Sequence, residues 1–524
     1  MTYLFPHSLP RSQGKKNSTL TAALLACTVT VLSGCASTVP DQGSTQHTDN
    51  TPLMSGLTAV TSPTTTNEWY QNGHQQADRR QQQAANTGMA RNVVLVIGDG
   101  MGITSLTSGR IYSGQQLGLD GEEYHLSFES LPYSALVKTY NTDLQTPDSA
   151  GTMTALMTGT KTRAGVIAIN ADAERSNCAS SHGTELHTLF NDARQAGKAT
   201  GVVTTTRLTH ATPAVTYAHS PERNWEADSL LPADAIANGC QDIAAQLISS
   251  DLDIALGGGL SMFVPEADGG VRADGRHLAN EWQQQAGHHY VSTRQQLLEA
   301  DLSDGEWLGL FAESHLPYVE ERDENVPSLT DMTKAAVKRL SNNPQGFSLV
   351  IEAGRIDHAH HAGNGYRALK ETEELHQTVD WLINNLDLSN TLLLVTADHS
   401  HTLTLAGYPT RGNPINGVVK TNNEHGQPLS EPSRLEDGQT YTSMNYRNGP
   451  GAVSVPRPDI TEQEALSKEY LQQALVPLES ETHGGEDVAV YAVGPFAHLL
   501  GGTMEQHWIY HLMRYAMTGE APEN

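Results

Sequence analysis

Short apolar runs, separated by stretches with a helical pattern, recur through most of this chain. They cover residues 93–97, 201–205, 252–256, 347–351, 391–396 and 488–493. Strands that alternate with helices favour a largely parallel sheet with helices on both of its faces. The sequence therefore predicts an α/β fold built on a large central, mostly parallel sheet that is sandwiched by helices.

Residues 89–524 are predicted to form one large folded domain whose later part differs in composition. Residues 405–480 are richer in Gly, Pro, Asn and charged side chains, and their periodicity is weak. Such a segment is typical of an insertion on the rim of a sheet. Residues 504–517 have a helical pattern, and we expect this helix to pack on the body of the domain.

The N-terminal part of the chain has the composition of an export signal followed by a tether. Within residues 1–34 a basic segment precedes apolar residues 20–32, which are too few to span a membrane as an ordinary helix. The run ends in the motif Leu32-Ser-Gly-Cys35, which resembles the lipobox of bacterial lipoproteins and implies cleavage before Cys35 and its lipidation. The alternative is an ordinary signal peptide with an unrelated cysteine. Residues 35–88 are too poor in apolar side chains to fold alone.

A lipidated Cys35 would anchor the protein to a membrane of the bacterial cell envelope. Several acyl chains hold a protein stably at a bilayer, whereas a single chain does not. Ala36 follows the cysteine. By resemblance to the lipoprotein sorting pattern, this favours the outer membrane over the inner one, with the protein periplasmic or exposed at the surface.

The folded domain retains two cysteines, Cys178 and Cys240, because Cys27 lies in the signal and Cys35 at its end. In an exported chain an even pair is typical of a disulfide. The alternative is a pair of buried thiols.

The formal net charge of -27, from 32 basic and 59 acidic side chains, limits the partners of the protein. A field of this sign repels nucleic acid and anionic lipid, so neither is expected to bind. It also repels a phosphate ester unless the site carries positive charge of its own. A phosphate site in this chain would therefore point to metal ions.

Asp99 and Ser149 are the first candidates for a site. Asp99 follows the run at 93–97, and open α/β sheets bind ligands where their strands end. Ser149, in an Asp-Ser-Ala-Gly motif, begins a stretch of good helix formers. Its hydroxyl is expected at a helix N-terminus, where free N–H groups and the helix dipole favour an anion such as a phosphoryl group. The alternative is that the motif only caps the helix.

Acidic residues and histidines are dense in residues 352–361. Asp357 and His361 are four residues apart, so on a helix they share one face and can hold one ion. Glu352 lies where the run at 347–351 ends, and we expect it to face the same cleft. Further candidates near strand ends are Asp398, His399 and His483. This concentration of ligand side chains predicts metal binding.

Taken together, these motifs resemble those of the alkaline phosphatases, and they are closer to the animal type than to the enteric bacterial type. The resemblance runs in order from Asn92 to Tyr515. Its motifs are Asp99-Gly-Met-Gly, Asp148-Ser-Ala, Gly354-Arg-Ile-Asp-His-Ala-His-His361, Thr396-Ala-Asp-His-Ser400 and Thr482-His-Gly-Gly-Glu-Asp-Val488. It implies the alkaline phosphatase fold, with 405–480 resembling a small crown domain, and hydrolysis of phosphate monoesters through a phosphoserine.

The resemblance implies three metal ions, two zinc and one magnesium. Their ligands are Asp357, His361 and His483 for one zinc, Asp99, Asp398 and His399 for the other zinc, and Asp99, Thr212 and Glu352 for magnesium. Ser149 is then the group that attacks phosphorus, and Arg223 binds the phosphoryl oxygens with a bidentate fork.

Other polar residues are implied to lie beside the ligands and act through them: Asp148, His210 and His358. His360 and His401 either tune the site or pack beside it. Neither of these two histidines is predicted to be a ligand.

The resemblance also implies a disulfide between Cys178 and Cys240 and a homodimer. The animal enzymes carry a calcium site in the region after Phe263. That site is doubtful here because the segment is shorter and Asn238 stands where an acid is expected, although Asp274 persists.

Two other functions are compatible with parts of the pattern. A diesterase or sulfatase of the same superfamily would share metal ligands, but the arginine and the third ion suit a dianionic monoester. A surface lipoprotein that binds metal or a partner without catalysis would leave Ser149 without a role. Small phosphate monoesters are therefore the expected substrates.

Overall fold

The computed structural model describes residues 63–519 and divides into two compact units between Gly73 and His74. Its strands are β1 (Asn92–Gly98), β2 (Tyr133–Lys138), β3 (Ala199–Arg207), β4 (Ile254–Gly258), β5 (His288–Val291), β6 (Glu306–Leu310), β7 (Phe347–Ala353), β8 (Thr391–Ala397), β9 (Ser400–His401), β10 (Leu403–Leu405), β11 (Met444–Gly449), β12 (Ala474–Pro477), β13 (His483–Gly484), β14 (Val488–Val493) and β15 (Thr503–Glu505). Its α-helices are α1 (Pro63–Thr66), α2 (Glu68–Gln81), α3 (Ile103–Gln116), α4 (Ser149–Thr158), α5 (Cys178–Ser181), α6 (Leu189–Gln195), α7 (Ala211–Ala214), α8 (Ala233–Ala237), α9 (Ile243–Ile248), α10 (Leu278–Gln284), α11 (Arg294–Glu299), α12 (Leu329–Leu340), α13 (Arg355–His361), α14 (Gly365–Asn385), α15 (Glu462–Ala465) and α16 (Trp508–Thr518). The predicted signal peptide and Cys35 lie outside the described residues.

Ten strands form one sheet in the order β15-β2-β14-β8-β1-β7-β3-β4-β6-β5. All neighbouring pairs from β8 to β5 are parallel, while β14 runs antiparallel to both β8 and β2. Helices α6, α12, α14 and α16 pack against the strands. The predicted large, mostly parallel sheet with flanking helices is therefore confirmed.

The six predicted apolar runs all coincide with or overlap strands of this sheet: β1, β3, β4, β7, β8 and β14. Burial explains the success, because every residue of β7 and β8 is buried and the apolar run is continuous. The runs do not predict β2, β5, β6 or β15. In β2, buried and exposed residues largely alternate, and in β6 a polar residue and a glycine, Glu306 and Gly309, interrupt the apolar sequence.

The prediction of a helix over residues 504–517 is wrong at its start. Met504 lies in strand β15, and helix α16 begins only at Trp508. Strand β15 pairs in parallel with β2, and Glu505 forms ion pairs of 3.0 Å with both Lys138 and Lys161. Pairing with a distant strand thus overrides the local helical pattern at these residues.

A three-stranded sheet, in the order β10-β11-β12, lies at the predicted rim insertion of residues 405–480. Its apolar side chains, such as Met444 and Tyr446, form a small core with Ile111 of α3 and Leu369 of α14. This core attaches the insertion to two helices of the main body.

Helix α2 lies within the segment predicted as a tether, and none of its residues is buried. It therefore adds no hydrophobic core. Among the described residues, each helix is too short or too polar to cross a bilayer.

A disulfide joins Cys178, at the start of α5, to Cys240, with their sulfur atoms 2.12 Å apart. This confirms the predicted bond and excludes the alternative of two buried thiols. The bond anchors α5, and residues just before this helix lie beside the site described next.

Candidate active site

Ser149 is the first residue of α4, as the sequence predicts, and only 1% of its surface is exposed. The Asp148 carboxylate caps the helix by accepting a hydrogen bond of 3.1 Å from the Gly151 N–H. The Ser149 hydroxyl oxygen lies 3.1 Å from Nε2 of His399. The motif is thus a helix cap, and it also places a hydroxyl against a predicted metal ligand.

The order of the strands brings the predicted carboxylates together. Strand β1 lies between β7 and β8, and its last residue, Gly98, is in register with Ala353 and Ala397. Asp99 and Asp398 follow directly after the last residues of β1 and β8, and Glu352 is the last residue but one of β7. Parallel strands therefore deliver three distant acids to one edge of the sheet.

Asp99, Asp398 and His399, the predicted ligands of one zinc, form one compact and fully buried group. Nε2 of His399 lies 3.4 Å from a carboxylate oxygen of Asp99 and 3.4 Å from one of Asp398. Burial, followed by the negative charge of Asp398, raises the pKa of Asp99 well above its usual value. Negative charge is concentrated here without a positively charged side chain in the group.

Asp357, His361 and His483, the predicted ligands of the other zinc, also converge. Helix α13 carries Asp357 and His361 one turn apart, as the spacing predicts. An Asp357 oxygen lies 3.4 Å from Nε2 of each histidine, and the two Nε2 atoms are 3.1 Å apart. Three ligand atoms from two parts of the chain therefore face one point.

The tautomers of these histidines follow from their second ring nitrogens. Nδ1 of His361, His399 and His483 lies 2.6, 3.2 and 2.8 Å from the backbone carbonyls of Glu481, Ser400 and Pro147, respectively. A carbonyl only accepts hydrogen bonds, so each Nδ1 carries the hydrogen.

In its neutral form each ring then presents an Nε2 lone pair to the cluster. Burial favours the neutral form, since it lowers the pKa of His361 and, strongly, that of His399. Lone pairs and carboxylate oxygens that face each other repel unless a cation lies between them. The donor set therefore fits metal ions.

A third group consists of Asp99, His210 and Glu352, whose ligand atoms all lie within 4.8 Å of one another. Both carboxylate oxygens of Asp99 and Oε1 of Glu352 have no hydrogen-bond partner among residues 63–519. Burial raises the pKa of Glu352 to about 7, although the hydroxyls of Thr204 and Thr212 oppose this shift. The two carboxylates of the group are fully buried and supply oxygen atoms, as a magnesium site requires.

Arg223 lies across the N-terminus of α4. Its two terminal nitrogens donate hydrogen bonds of 3.1 Å, one to Asp148 Oδ2 and one to Nε2 of His210. Burial alone would raise the pKa of Asp148, but the charge of Arg223 together with hydrogen bonds from the Gly165 and Gly151 N–H groups lowers it. Asp148 and His210 thus both contact the guanidinium of Arg223, and their indirect roles stay a prediction.

His401 and Glu481 are central to the site, although the sequence does not identify them as ligands. His401 lies between Asp357, at 2.7 Å, and Glu481, at 2.5 Å. Burial disfavours its charged form, but the two carboxylates raise its pKa to about 10. In the sequence, the feature that could have indicated a role for His401 is its position two residues after His399. The ion pair depends on the pairing of β9 with β13, which spacing does not reveal.

His358 belongs to a second group of imidazoles that the sequence only partly predicts. The centroid of its ring lies 4.2 Å from that of His315 and 5.4 Å from that of His210. Burial lowers the pKa of His358 to about 3, so the ring is neutral. His315 stands alone in a loop and carried no spacing signal.

His360 points away from the ligand groups. Its ring nitrogens lie 2.8 Å from the Ser105 hydroxyl and 2.7 Å from the Tyr446 hydroxyl. It therefore links α13 to α3 and to the smaller sheet.

In the region where the animal enzymes carry a calcium site, the side chain of Arg272 lies between acidic residues. The fully buried Arg272 side chain lies 2.9 Å from Asp242 and 2.6 Å from Asp274. The Asn238 amide donates to the Asp234 carbonyl. Since Arg272 already neutralises Asp274, the residues present here do not fit a calcium ion.

Comparison with known proteins identifies relatives across most of the chain. The family profile described as "Alkaline phosphatase" matches residues 90–518. The alkaline phosphatase of Gadus morhua is 42% identical over 454 residues, which cover 83% of this chain and 93% of that protein. The tissue-nonspecific isozyme of Homo sapiens is 40% identical over 455 residues, covering 83% and 85% of the two chains.

Solved structures resemble the fold. The alkaline phosphatase of Thermus thermophilus covers 84% of this chain and 93% of its own, with a TM-score of 0.59 and 25% identity. That of the Antarctic bacterium TAB5 covers 82% and 99%, with a TM-score of 0.58 and 22% identity, and supports the fold alone. The profile match contains the strand-end acids, α4 and α13.

Proposed function

Because this chain belongs to the alkaline phosphatase family, we propose that Ser149 is the nucleophile in its hydrolysis of phosphate monoesters. The reaction is metal-dependent, proceeds through a phosphoserine and releases inorganic phosphate and an alcohol. The contact that carries the assignment is the 3.1 Å approach of the Ser149 hydroxyl to Nε2 of His399. That nitrogen carries no hydrogen, so hydroxyl and imidazole both face the place of a cation.

We propose that two zinc ions occupy the first two groups and that one magnesium ion lies at the third, with Thr212 rather than His210 as its remaining ligand. The nitrogen-containing groups, with Asp357, His361 and His483 in one and Asp99, Asp398 and His399 in the other, suit zinc. Asp99, Thr212 and Glu352 offer oxygen atoms only and suit magnesium. When bound, such cations lower the pKa of a nearby hydroxyl and offset the charge of a transferring phosphoryl group.

The residues of the chain then have separate tasks. Arg223 binds two phosphoryl oxygens with its fork and holds the phosphorus in line with the Ser149 oxygen. The hydroxyl loses its proton and its oxygen forms a bond to phosphorus as the bond from phosphorus to the leaving oxygen breaks, and the alkoxide takes up a proton and leaves as the alcohol. In the second step water attacks the phosphoserine, and phosphate leaves as Ser149 regains its proton. Two inversions give net retention, and an alcohol could replace water as acceptor.

The preference for monoesters is tested by comparing p-nitrophenyl phosphate, its bis-ester and p-nitrophenyl sulfate on the wild-type protein. A dianionic monoester offers Arg223 two charged oxygens and has one more negative charge than the diester or sulfate. We expect kcat/KM for the monoester to exceed the others by about 100-fold or more, the effect of a lost charged contact in a buried site. A preference for the diester or the sulfate would instead assign the protein to the diesterase or sulfatase branch.

We also propose that the mature protein is a lipid-anchored homodimer of the bacterial cell envelope, more specifically of the outer membrane. The lipobox at Cys35 supports the anchor, and exposed apolar side chains on β12, such as Leu475 at 73%, support an interface. Failure of Cys35 to take up labelled fatty acid, or recovery with inner-membrane fractions, would contradict the anchor or its location. A monomer mass in light scattering would exclude the dimer.

A further inference from the structure

Arg175 and Glu222 form a bidentate ion pair beside the arginine of the site. Arg175 donates from Nε and Nη2 to the two carboxylate oxygens of Glu222, at 2.9 and 3.0 Å. The Arg175 side chain is 43% exposed, whereas that of Glu222 is 9% exposed. Glu222 immediately precedes Arg223 in the chain, so any shift of this pair acts directly on the Arg223 backbone.

Glu222 is the centre of a set of hydrogen bonds on both sides of Arg223. Its carboxylate accepts from the Ser176 hydroxyl at 2.7 Å and from the Asn224 N–H and side-chain amide at 3.1 and 2.8 Å. The Ser176 N–H donates to the Pro221 carbonyl at 2.8 Å. The residues on either side of Arg223 are therefore tied to one carboxylate and to the segment that carries Arg175.

This network continues to the residue that orients the guanidinium. The Arg223 N–H donates to the Gly165 carbonyl at 2.9 Å, and the Gly165 N–H donates to Asp148 at 2.9 Å. A Cβ at Gly165 would lie only 2.1 Å from the Arg175 guanidinium carbon, so the two groups approach closely. Arg175 thus packs against Gly165, which is hydrogen-bonded to both Arg223 and Asp148.

The segment that supplies Arg175 is itself anchored. Arg175 and Ser176 lie just before Cys178, whose disulfide to Cys240 fixes α5. A rigid support is what an arginine needs if its fork is to meet two phosphoryl oxygens at once.

We propose that Arg175 and Glu222 are positioning residues that hold Arg223 in the geometry for binding the phosphoryl group. The proposal rests on the function proposed above for Arg223. Neither residue needs to touch the substrate. Because the Arg175 end of the pair is 43% exposed, solvent screening limits its contribution to stability, and its main effect is expected on the orientation of Arg223.

The test uses the holoenzyme and the paired variant Arg175→Ala/Glu222→Gln, which removes both charges and leaves no buried carboxylate without its partner. We expect the inhibition constant of inorganic phosphate and the KM for p-nitrophenyl phosphate each to rise about tenfold, because small displacements of a binding group are costly. The value of kcat should stay within about threefold, as is usual when binding to substrate and transition state weakens equally. Arg175→Lys, which keeps the charge but loses the fork, should recover only part of the affinity.

The pH dependence gives a further readout. Burial raises the pKa of Glu222, but Arg175 and Ser176 outweigh burial and lower it, so the group is a carboxylate at neutral and alkaline pH. The ratio of the inhibition constants of variant and wild type should then be constant from about pH 7 to about pH 9.

A matched control is the Arg110–Glu129 pair, which is also bidentate, at 2.9 and 2.6 Å, with side chains 28% and 9% exposed. It joins α3 to the Ser127–Ser130 turn, outside the site. Arg110→Ala/Glu129→Gln should leave phosphate inhibition unchanged.

The variant Arg223→Ala distinguishes failure of the positioning role from failure of the function proposed for Arg223. If it raises the phosphate inhibition constant about 10- to 100-fold while the Arg175/Glu222 variant does not raise it, the positioning role is refuted and the proposed function stands. If Arg223→Ala itself has no effect, the assignment of Arg223 fails. Adding Arg223→Ala to the paired variant should cause no further loss than Arg223→Ala alone, and additive losses would contradict action through Arg223.

Discussion

Replacement of Ser149 by alanine is expected to lower kcat for p-nitrophenyl phosphate by about 10³-fold or more, because the attacking oxygen is removed. The side chain is buried at the start of α4, and its loss leaves the Asp148 cap in place. Folding and metal content should therefore be preserved. Acid quenching of the wild type with labelled phosphate should trap a phosphoenzyme that Ser149→Ala does not form.

The control for this variant is Ser328→Ala. Ser328 is another serine at a helix start, where its hydroxyl caps α12 by accepting from the Asp331 N–H at 2.9 Å. Its loss should cost about 1 kcal/mol of stability and leave kcat unchanged. Retention of most activity by Ser149→Ala would show that Ser149 is not the nucleophile. Absence of phosphatase activity in the wild type would instead favour the alternative of a non-catalytic metal-binding protein, in which this serine has no role.

The fold was predictable where local and tertiary signals coincide. β7 and β8 are continuous apolar runs because both faces are covered, so burial is visible in the sequence. Met504 shows the limit, since its apolar spacing is that of a helix while its pairing with β2 makes it a strand. Pairing partners lie hundreds of residues away, and no local pattern encodes them.

The same distinction applies to the site. Asp357 and His361 are predictable because their spacing on one helix is a local property. His401 is not, because its ion pair with Glu481 requires β9 and β13 to meet. Likewise, nothing in the sequence places Arg175 against Glu222.

Backbone carbonyls that accept hydrogen bonds from the Nδ1–H groups determine how the histidines of the ligand groups are oriented. Each carbonyl fixes the tautomer of one histidine and thereby turns a lone pair towards the carboxylates. The metal-free protein consequently holds repulsive contacts that bound cations relieve. The proposed ligands are therefore expected to affect both catalysis and the stability of the metal-free and metal-bound forms.

Asp99→Asn should remove more metal than any other single substitution in the site. Asp99 belongs to the group with Asp398 and His399 and to the group with His210 and Glu352. Elemental analysis should find about two ions fewer per chain than in the wild type, whereas His483→Ala should lose about one. Activity should fall by about 10³-fold or more, because charge stabilisation at the phosphoryl group is lost.

In the metal-free protein, Asp99→Asn is expected to raise stability, which is opposite to its effect when metal is bound. Burial and the charge of Asp398 raise the pKa of Asp99 in the folded protein. Ionisation of Asp99 therefore destabilises the fold at any pH above the ordinary pKa that the carboxyl has in the unfolded chain. In chelator near pH 8, Asp99→Asn should therefore unfold at a temperature higher by roughly a few degrees, whereas with metal present it should unfold lower. The difference in chelator should shrink as the pH falls and disappear below about pH 3, where this carboxyl is protonated in both the folded and the unfolded state.

Asp192→Asn provides the control, since Asp192 is a buried carboxylate that pairs with His187 and accepts from Tyr510 outside the ligand groups. Removing its charge should destabilise the protein with and without chelator and leave the metal content unchanged. If Asp99→Asn behaved in the same way, its carboxylate would be satisfied by protein groups alone. The case for cations between these ligands would then fail.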